Sequence, residues 1–177
     1  QEPTPKYRCS QRDIDDAAIE LQVIKKLMKV RERGYIAPGL VELLTAFFGV
    51  PKGEDDIRLV YDGSVSGLNL SIWVPHFFLP TLRTHLRAVD ENTYMADVDI
   101  GEMFLNFTLH KKLRSLCGVD LMNYLTAKYG SAGPVHKVWQ RAAMGLRSSP
   151  FQAVQAMAIA KEKIMGDRHG YANVFCW

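Results

Sequence analysis

Two aspartates near the middle of the chain could bind a divalent metal ion. Asp97 and Asp99 lie in residues 93–100, whose composition predicts a β-strand, and Asp99 falls at the end of that strand. Strand ends hold carboxylates rigidly, and Mg²⁺ takes carboxylate oxygens together with phosphate oxygens. The D-x-D spacing also occurs in metal-dependent glycosyltransferases and aspartyl-phosphate phosphatases, so by itself it leaves the reaction open.

A basic segment lies upstream of these aspartates. A polar turn is predicted over residues 49–56 and a strand over residues 57–61, which places Lys52 and Arg58 on a hairpin. A guanidinium beside an ammonium neutralises and orients a polyphosphate. Ordinary surface charge on a hairpin is the alternative when these two residues are considered alone.

A third segment combines a glycine turn with the strongest predicted helix. Ser149 is predicted as the N-cap and Pro150 as the first helical residue of an Ala-rich helix over residues 151–165 that ends at Gly166. Gly145 permits close backbone approach just before this helix. A generic capped helix would explain Ser149 and Pro150 without any function.

The rest of the chain predicts short helices and strands that would position these residues. The basic end of the first helix suits its macrodipole, and an aromatic run containing Trp73, Phe77 and Phe78 is predicted to pack in the core. The expected elements are a helix from Asp13 to about residue 32, a helix from Pro38 to Phe47 or Phe48, an irregular stretch over 62–69, a helix from Pro80 to about residue 91, a helix over 119–128 and a strand over 136–142.

Composition limits the class of protein. The chain has 177 residues, 47% of them hydrophobic, and a net charge of +3, which predicts one globular domain compatible with a polyanionic partner. The cysteines are far apart, the histidines lack paired metal spacing, and no apolar run reaches eighteen residues. We therefore expect an intracellular protein with free thiols and no membrane contact. Gln1 and the strand-like last residues predict a fragment.

Three segments, in this order, resemble blocks of reverse transcriptases such as those of retrotransposons. Residues 48–69 resemble the fingers hairpin, Asp99 followed five residues later by Phe104 resembles the catalytic aspartate and its aromatic, and residues 144–152 resemble the glycine-leucine turn and its S/A-P helix start. Together they cover roughly residues 45–157. The resemblance implies an RNA-directed DNA polymerase with a two-metal mechanism.

This resemblance also implies an architecture. The fold would be α+β, the fingers and partial palm of a right-hand polymerase. Residues 1–177 would form a single partial domain, with N-terminal helices and fingers over about 1–92 and the palm portion, with interleaved fingers elements, over about 93–177.

The resemblance further implies roles for individual residues. Asp99 and the Ile100 carbonyl would bind Mg²⁺ (or Mn²⁺), with Asp99 catalytic, and Phe104 would be a steric gate against the ribose 2′-hydroxyl. The expected partners are an RNA/DNA template-primer and dNTPs. The residues expected to contact the dNTP are Lys52, Arg58, Ile100, Phe104 and Gly145, and those expected to contact nucleic acid are Pro150 and Gln152.

Two departures from the family pattern keep other functions open. Met144 stands where several relatives carry glutamine, and no tyrosine- or phenylalanine-x-aspartate-aspartate motif occurs over residues 151–177. We expect the chain to stop before that motif, so the isolated fragment would be inactive and the remaining palm, thumb and possible RNase H or integrase regions would belong to the parent polyprotein. The alternatives are a degenerate, non-catalytic nucleic-acid-binding domain and a D-x-D metal-dependent phospho- or glycosyltransferase.

Overall fold

The computed structural model describes residues 7–8, 17–53, 56–78, 81, 83, 91–92, 99–121 and 136–166. These residues form a mixed α+β fold with two sheets. The elements are β1 (Tyr7–Arg8), α1 (Ala17–Glu32), β2 (Ile36–Ala37), β3 (Leu43–Leu44), β4 (Phe47–Lys52), β5 (Asp56–Tyr61), α2 (Leu68–Ser71), a 3₁₀ helix (Met103–Asn106), α3 (Lys111–Arg114), β6 (Gly118–Asp120), β7 (His136–Trp139) and α4 (Ser148–Met165).

Helix α1 packs one apolar face against the hairpin of β4 and β5. Its buried residues are Val23, Ile24, Leu27 and Val30, which recur at helical spacing. The approach is close at Gly49 of β4, where an added Cβ would lie 2.9 Å from side-chain atoms of both Ile57 and Val23. The predicted helix is confirmed up to residue 32, and its predicted start at Asp13 lies outside the described residues.

The larger sheet has five short strands in the order β1-β3-β6-β7-β2. β1 and β6 run parallel to β3, whereas β7 runs antiparallel to both β6 and β2. Val119 of β6 and Trp139 of β7 are buried in the main core. The sheet therefore supports the turn that leads from β7 to α4.

The smaller sheet is the β4–β5 hairpin, in which Phe47 pairs with Tyr61 and Lys52 with Asp56. The predicted helix from Pro38 to Phe47 or Phe48 is wrong, because Leu43 and Leu44 form β3 and Phe47 begins β4. Pairing with neighbouring strands overrides helical propensity here. The predicted turn over 49–56 was also too long, since β4 continues to Lys52.

Two predicted helix boundaries change in the second half of the chain. Residues 118–120 form strand β6 through antiparallel pairing with β7, so the predicted helix over 119–128 is wrong at its start; residues 122–130 lie outside the described part. Helix α4 begins at Ser148, and Ser149 is not the N-cap. Its side chain is fully buried and its hydroxyl donates to the Ala143 carbonyl at 2.8 Å. Gly166 ends the helix as predicted.

Several other predictions can be compared with the described residues. The strand predicted over 57–61 is confirmed, as is a strand at 136–139, and residues 73–78 contain no regular helix. The stretch over 62–69 is irregular until α2 begins at Leu68. Most of the predicted helix over 80–91 and of the strand over 93–100 lies outside the described residues. No helix in the described part is both long and apolar enough to cross a membrane.

The described cysteine is inert. Cys117 is a free thiol buried in the core, and burial raises its pKa to about 12. A thiol with so high a pKa carries almost no thiolate near neutral pH. Cys117 is therefore a packing residue, and Cys9 and Cys176 lie outside the described residues.

Candidate functional site

A cavity of about 270 Å³ lies between α1, the β4–β5 hairpin and the segment around the 3₁₀ helix. It brings together four residues that were predicted from distant parts of the sequence: Lys52, Arg58, Ile100 and Phe104. We call it the hairpin cavity. The residues that line it are Lys26, Val30, Lys52, Asp56, Ile57, Arg58, Leu59, Ile100, Glu102, Met103, Phe104, Leu105, Trp139 and Met144.

One wall of the hairpin cavity is positively charged. Lys52 and Arg58 lie on the two strands of the hairpin, and Lys26 of α1 adds a third cation that sequence reasoning did not assign to the site. The Lys26 ammonium lies 3.0 Å from an Asp56 carboxylate oxygen. The hydrogen bond from Lys26, with a further one from the Ile57 amide, lowers the pKa of Asp56. The wall therefore holds three cations and one ionised carboxylate, a net charge that favours an anion.

The opposite wall comes from the segment that follows Asp99. Asp99 and Ile100 are exposed and form no regular structure, and the 3₁₀ helix then carries Phe104. Phe104 is half-buried and packs against the main core. Its ring therefore lies where the core meets the cavity.

A second cavity of about 590 Å³ lies beside the first, and we call it the turn cavity. Phe104 and Met144 line both cavities. The side chains and backbone that line it belong to Ser64, Asn69, Leu70, Phe104, Met144, Gly145, Leu146, Arg147 and Pro150. The predicted residues Gly145 and Pro150 thus lie together, but in this second cavity.

Gly145 joins the turn before α4 to the end of the hairpin. Its φ of 104° is in the region that favours glycine. A Cβ at this position would overlap the Tyr61 carbonyl oxygen, and the Tyr61 amide donates to the Met144 carbonyl at 2.7 Å. Gly145 thus permits a close backbone approach whose partner is the hairpin backbone, and the predicted contact of Gly145 with a dNTP stays a prediction.

Asn69 braces the same turn and was assigned no role from sequence. Its amide donates to the Gly145 carbonyl at 2.8 Å and to the Ser64 hydroxyl at 3.0 Å. The carbonyl oxygen of its side chain accepts a hydrogen bond from the backbone amide of Arg147 at 2.8 Å. An asparagine at the end of a Gly- and Ser-rich stretch is a signal for such backbone bridging, because its side chain mimics a peptide group.

Asp99 and Gln152 line neither cavity. Asp99 is exposed beside Ile100, and Gln152 is half-buried in the first turns of α4. Asp97 lies outside the described residues. The Asp99 carboxylate and the Ile100 carbonyl are oxygen donors of the type that Mg²⁺ takes. Within the described part of the chain, no three His, Cys, Asp or Glu side chains cluster into a metal site, so a metal ion here would need further ligands.

The aromatic run after α2 does not pack as predicted. Trp73 is 83% exposed and Phe78 is 70% exposed. Phe77 is half-buried and contacts Phe151 of α4, with the ring centres 5.7 Å apart and the ring planes tilted by 59°. The prolines at positions 75 and 80 predicted irregular backbone correctly, but they do not determine which rings point inward.

Comparison with known proteins finds a likeness of fold but none of sequence family. No protein-family model and no curated protein matches the sequence. Among solved structures, the foamy viral protease-reverse transcriptase dRH in complex with ds DNA is similar, with a TM-score of 0.67, 15% identity, and 93% of this chain and 26% of that chain covered. The prototype foamy virus protease-reverse transcriptase CSH mutant, labelled with selenomethionine, is similar with a TM-score of 0.68, 16% identity, and 91% and 20% covered. The chain therefore spans about a quarter or less of the length of these proteins.

Proposed function

We propose that the chain is the fingers and partial palm of an RNA-directed DNA polymerase of a retrotransposon-like element, working inside the cell. The observation that carries this proposal is the hairpin cavity. It gathers Lys52, Arg58, Ile100 and Phe104, which the family resemblance assigned to one nucleotide site and which lie up to 52 residues apart in the sequence. The reverse-transcriptase-like fold supports the same function.

The chemistry of the hairpin cavity suits a dNTP. Lys52 and Arg58 would hold the triphosphate, with the guanidinium of Arg58 able to make paired hydrogen bonds to phosphate oxygens. Lys26 would add positive charge from α1. The Phe104 ring would lie against the deoxyribose and exclude a 2′-hydroxyl, acting as a steric gate.

Asp99 is the proposed metal ligand and catalytic carboxylate. It directly precedes Ile100, whose side chain lines the hairpin cavity and whose carbonyl would be a second ligand. Mg²⁺ or Mn²⁺, when bound, would stabilise the charge that develops during nucleotidyl transfer to a primer 3′-hydroxyl. The chain's own part would be to hold the Asp99 carboxylate beside Ile100, which lines the hairpin cavity.

The turn cavity would lie beneath the template-primer and the incoming dNTP, with Gly145 contacting the dNTP and Pro150 and Gln152 contacting the nucleic acid. Gly145 and Pro150 line it, and Gln152 follows in α4. One of the similar proteins was solved in complex with ds DNA, which supports nucleic-acid binding by this fold. The thumb and the remaining palm would come from other parts of the parent polyprotein, with RNase H or integrase regions where the element has them.

Primer extension tests the proposal. The gene product that contains this chain together with its following sequence is given an RNA template, a DNA primer, dNTPs and Mg²⁺. Asp99→Ala and Asp99→Asn should each abolish incorporation, whereas Glu32→Gln, an exposed carboxylate at the end of α1, should leave it unchanged. Incorporation that survives in Asp99→Ala would contradict the assignment of Asp99.

A non-catalytic nucleic-acid-binding domain is the second candidate, and Met144 favours it. Its apolar side chain lines both cavities where several relatives carry a glutamine amide. This candidate predicts salt-sensitive nucleic-acid binding that survives Asp99→Ala, with no incorporation by the wild-type protein. The D-x-D transferase alternative predicts instead that Asp97→Asn is as harmful as Asp99→Asn.

A further inference from the structure

Glu102 is bound by two cations at the C-terminal end of α1, Lys29 in its last turn and Arg33 directly after the helix. Its carboxylate oxygens lie 2.6 Å from the Arg33 guanidinium and 3.2 Å from the Lys29 ammonium. The helix macrodipole alone would account for the basic end of α1. The contacts instead join α1 to the segment after Asp99, across about 70 residues of sequence.

The backbone at Glu102 is in an unfavourable conformation. With φ of 51° and ψ of 38°, it is the one non-glycine residue with a positive φ in the described part of the chain. A side chain in this left-handed region is strained and persists where surrounding contacts determine it. The ion pairs with Lys29 and Arg33 are such contacts, because they fix the direction of the Glu102 side chain.

Glu102 also sets the start of the 3₁₀ helix that carries Phe104. Glu102 is its N-cap, and its carbonyl accepts from the Leu105 amide at 2.8 Å. The following turn closes when the Phe107 amide donates to the Phe104 carbonyl at 3.1 Å. The backbone of Glu102 therefore begins the turn that carries Phe104.

The two cations also neutralise a carboxylate at an anion site. Glu102 lines the hairpin cavity together with Lys52 and Arg58. An unpaired carboxylate there would repel a triphosphate, whereas Lys29 and Arg33 offset its charge. The ion pairs with Lys29 and Arg33 thus have two effects. They hold the start of the 3₁₀ helix, and they offset the negative charge of Glu102 in the hairpin cavity.

We propose that Glu102, held by Lys29 and Arg33, is a positioning residue that sets the Phe104 ring against the nucleotide sugar and so determines deoxyribonucleotide selectivity. This inference rests on the proposed function. It assigns to the C-terminal end of α1, whose Lys26 already adds positive charge to the hairpin cavity, the further task of holding the gate in place.

Selectivity in the polymerase is the first measurement. In the full gene product, Glu102→Gln and the double variant Lys29→Gln/Arg33→Gln should each lower the preference for dNTP over rNTP by about fivefold, mainly through KM. The exchange Lys29→Arg/Arg33→Lys keeps both charges and should retain the preference. Glu32→Gln removes another exposed carboxylate at the end of α1, so it is the matched control and should leave the preference unchanged. Unchanged selectivity in both Gln variants would overturn the proposal.

Hydrogen–deuterium exchange tests the anchor independently of activity. In Glu102→Gln and in the double variant, the Leu105 and Phe107 amides should exchange severalfold faster than in the wild type, because the turns they close are no longer held. Unchanged exchange of these two amides would overturn the claim that the ion pairs of Glu102 hold the 3₁₀ helix, and it would leave the proposed polymerase function standing. A wild-type protein that extends no primer would instead overturn the proposed function and, with it, the selectivity role.

Discussion

The hairpin cavity and the turn cavity are neighbours that share Phe104 and Met144 but are built in different ways. The hairpin cavity takes its character from long side chains on exposed positions, above all Lys52 and Arg58. The turn cavity takes its character from backbone groups held close together at Gly145 and Asn69. Substitutions in the hairpin cavity should therefore change the free energy of unfolding little, whereas substitutions in the turn cavity should lower it.

Substitution at Gly145 should have the largest effect. In Gly145→Ala the new methyl would overlap the Tyr61 carbonyl oxygen, so the turn and hairpin must separate. We expect a loss of about 3 kcal/mol or more in the free energy of unfolding, measured by urea denaturation. Gly53→Ala is the control, since its φ of 70° is also positive but nothing lies within 4 Å, and it should cost only about 1 kcal/mol. Equal losses would mean that backbone strain, not close approach, dominates at Gly145.

Removal of the Asn69 side chain should have the next largest effect. Asn69→Ala would lose hydrogen bonds to Gly145, Ser64 and Arg147. The expected loss is about 2 to 3 kcal/mol, because three backbone or side-chain groups lose a partner together. Asn106→Ala is the matched control; its amide contacts are 3.3 to 3.4 Å long and should be worth about 0.5 kcal/mol. A loss in Asn69→Ala no greater than the control would disprove the bracing role.

Opening the shared wall should change selectivity more than stability. Phe104→Ala would join the two cavities and remove the proposed gate, so ribonucleotide incorporation should rise about tenfold relative to deoxyribonucleotide. Single-nucleotide incorporation by the full gene product measures this ratio. Phe107→Ala, a half-buried phenylalanine of the same segment that lines neither cavity, should leave the ratio unchanged. A changed ratio in both variants would point to general loosening of the segment.

The smallest effect is expected at Asp56, on the rim of the hairpin cavity. The hydrogen bond from Lys26, and then that from the Ile57 amide, lowers the pKa of Asp56 below its ordinary value of 3.8. The contact therefore stabilises the fold above pH 3.8, and this contribution is lost as pH falls through the folded-state pKa. In a plot of unfolding temperature against pH, Asp56→Asn and Lys26→Gln should each reduce the fall in unfolding temperature at acid pH. If neither variant alters the pH dependence of the unfolding temperature at acid pH, the Lys26–Asp56 contact does not contribute to stability there.

Local sequence signals predicted the elements whose stability is local. The helical spacing of Ala17, Leu21, Ile24 and Met28 and the Ala-rich run before Gly166 predicted α1 and α4. The face that α1 buries differs from the predicted one, since Leu21 is 49% exposed whereas Val23 and Leu27 are buried. By contrast, β4 and β6 were missed in whole or part, because their conformation depends on pairing with β5 and β7 rather than on composition. The N-cap was misplaced because the Ser149 hydroxyl has a tertiary partner, the Ala143 carbonyl.

The candidate site divides in the same way. The grouping of Lys52, Arg58, Ile100 and Phe104 was predictable only from the order of family-like segments, since nothing local joins them. Lys26, Asn69 and Glu102 were missed because their long-range contacts span 30 to 78 residues, so no spacing pattern encodes them. Whether the predicted residues perform their proposed roles remains a prediction for the experiments above.

The brace at Asn69 has a consequence for synthesis of the protein. Asn69 and its partners in the turn, Gly145 and Arg147, are 76 and 78 residues apart. A ribosome needs roughly 4 to 16 seconds to add that length of chain at about 5 to 20 residues per second. During this interval the hairpin is complete but its closing turn does not yet exist, and its exposed edges must avoid pairing with other nascent chains. We therefore expect the hairpin to associate with other chains most readily before the turn has been synthesised.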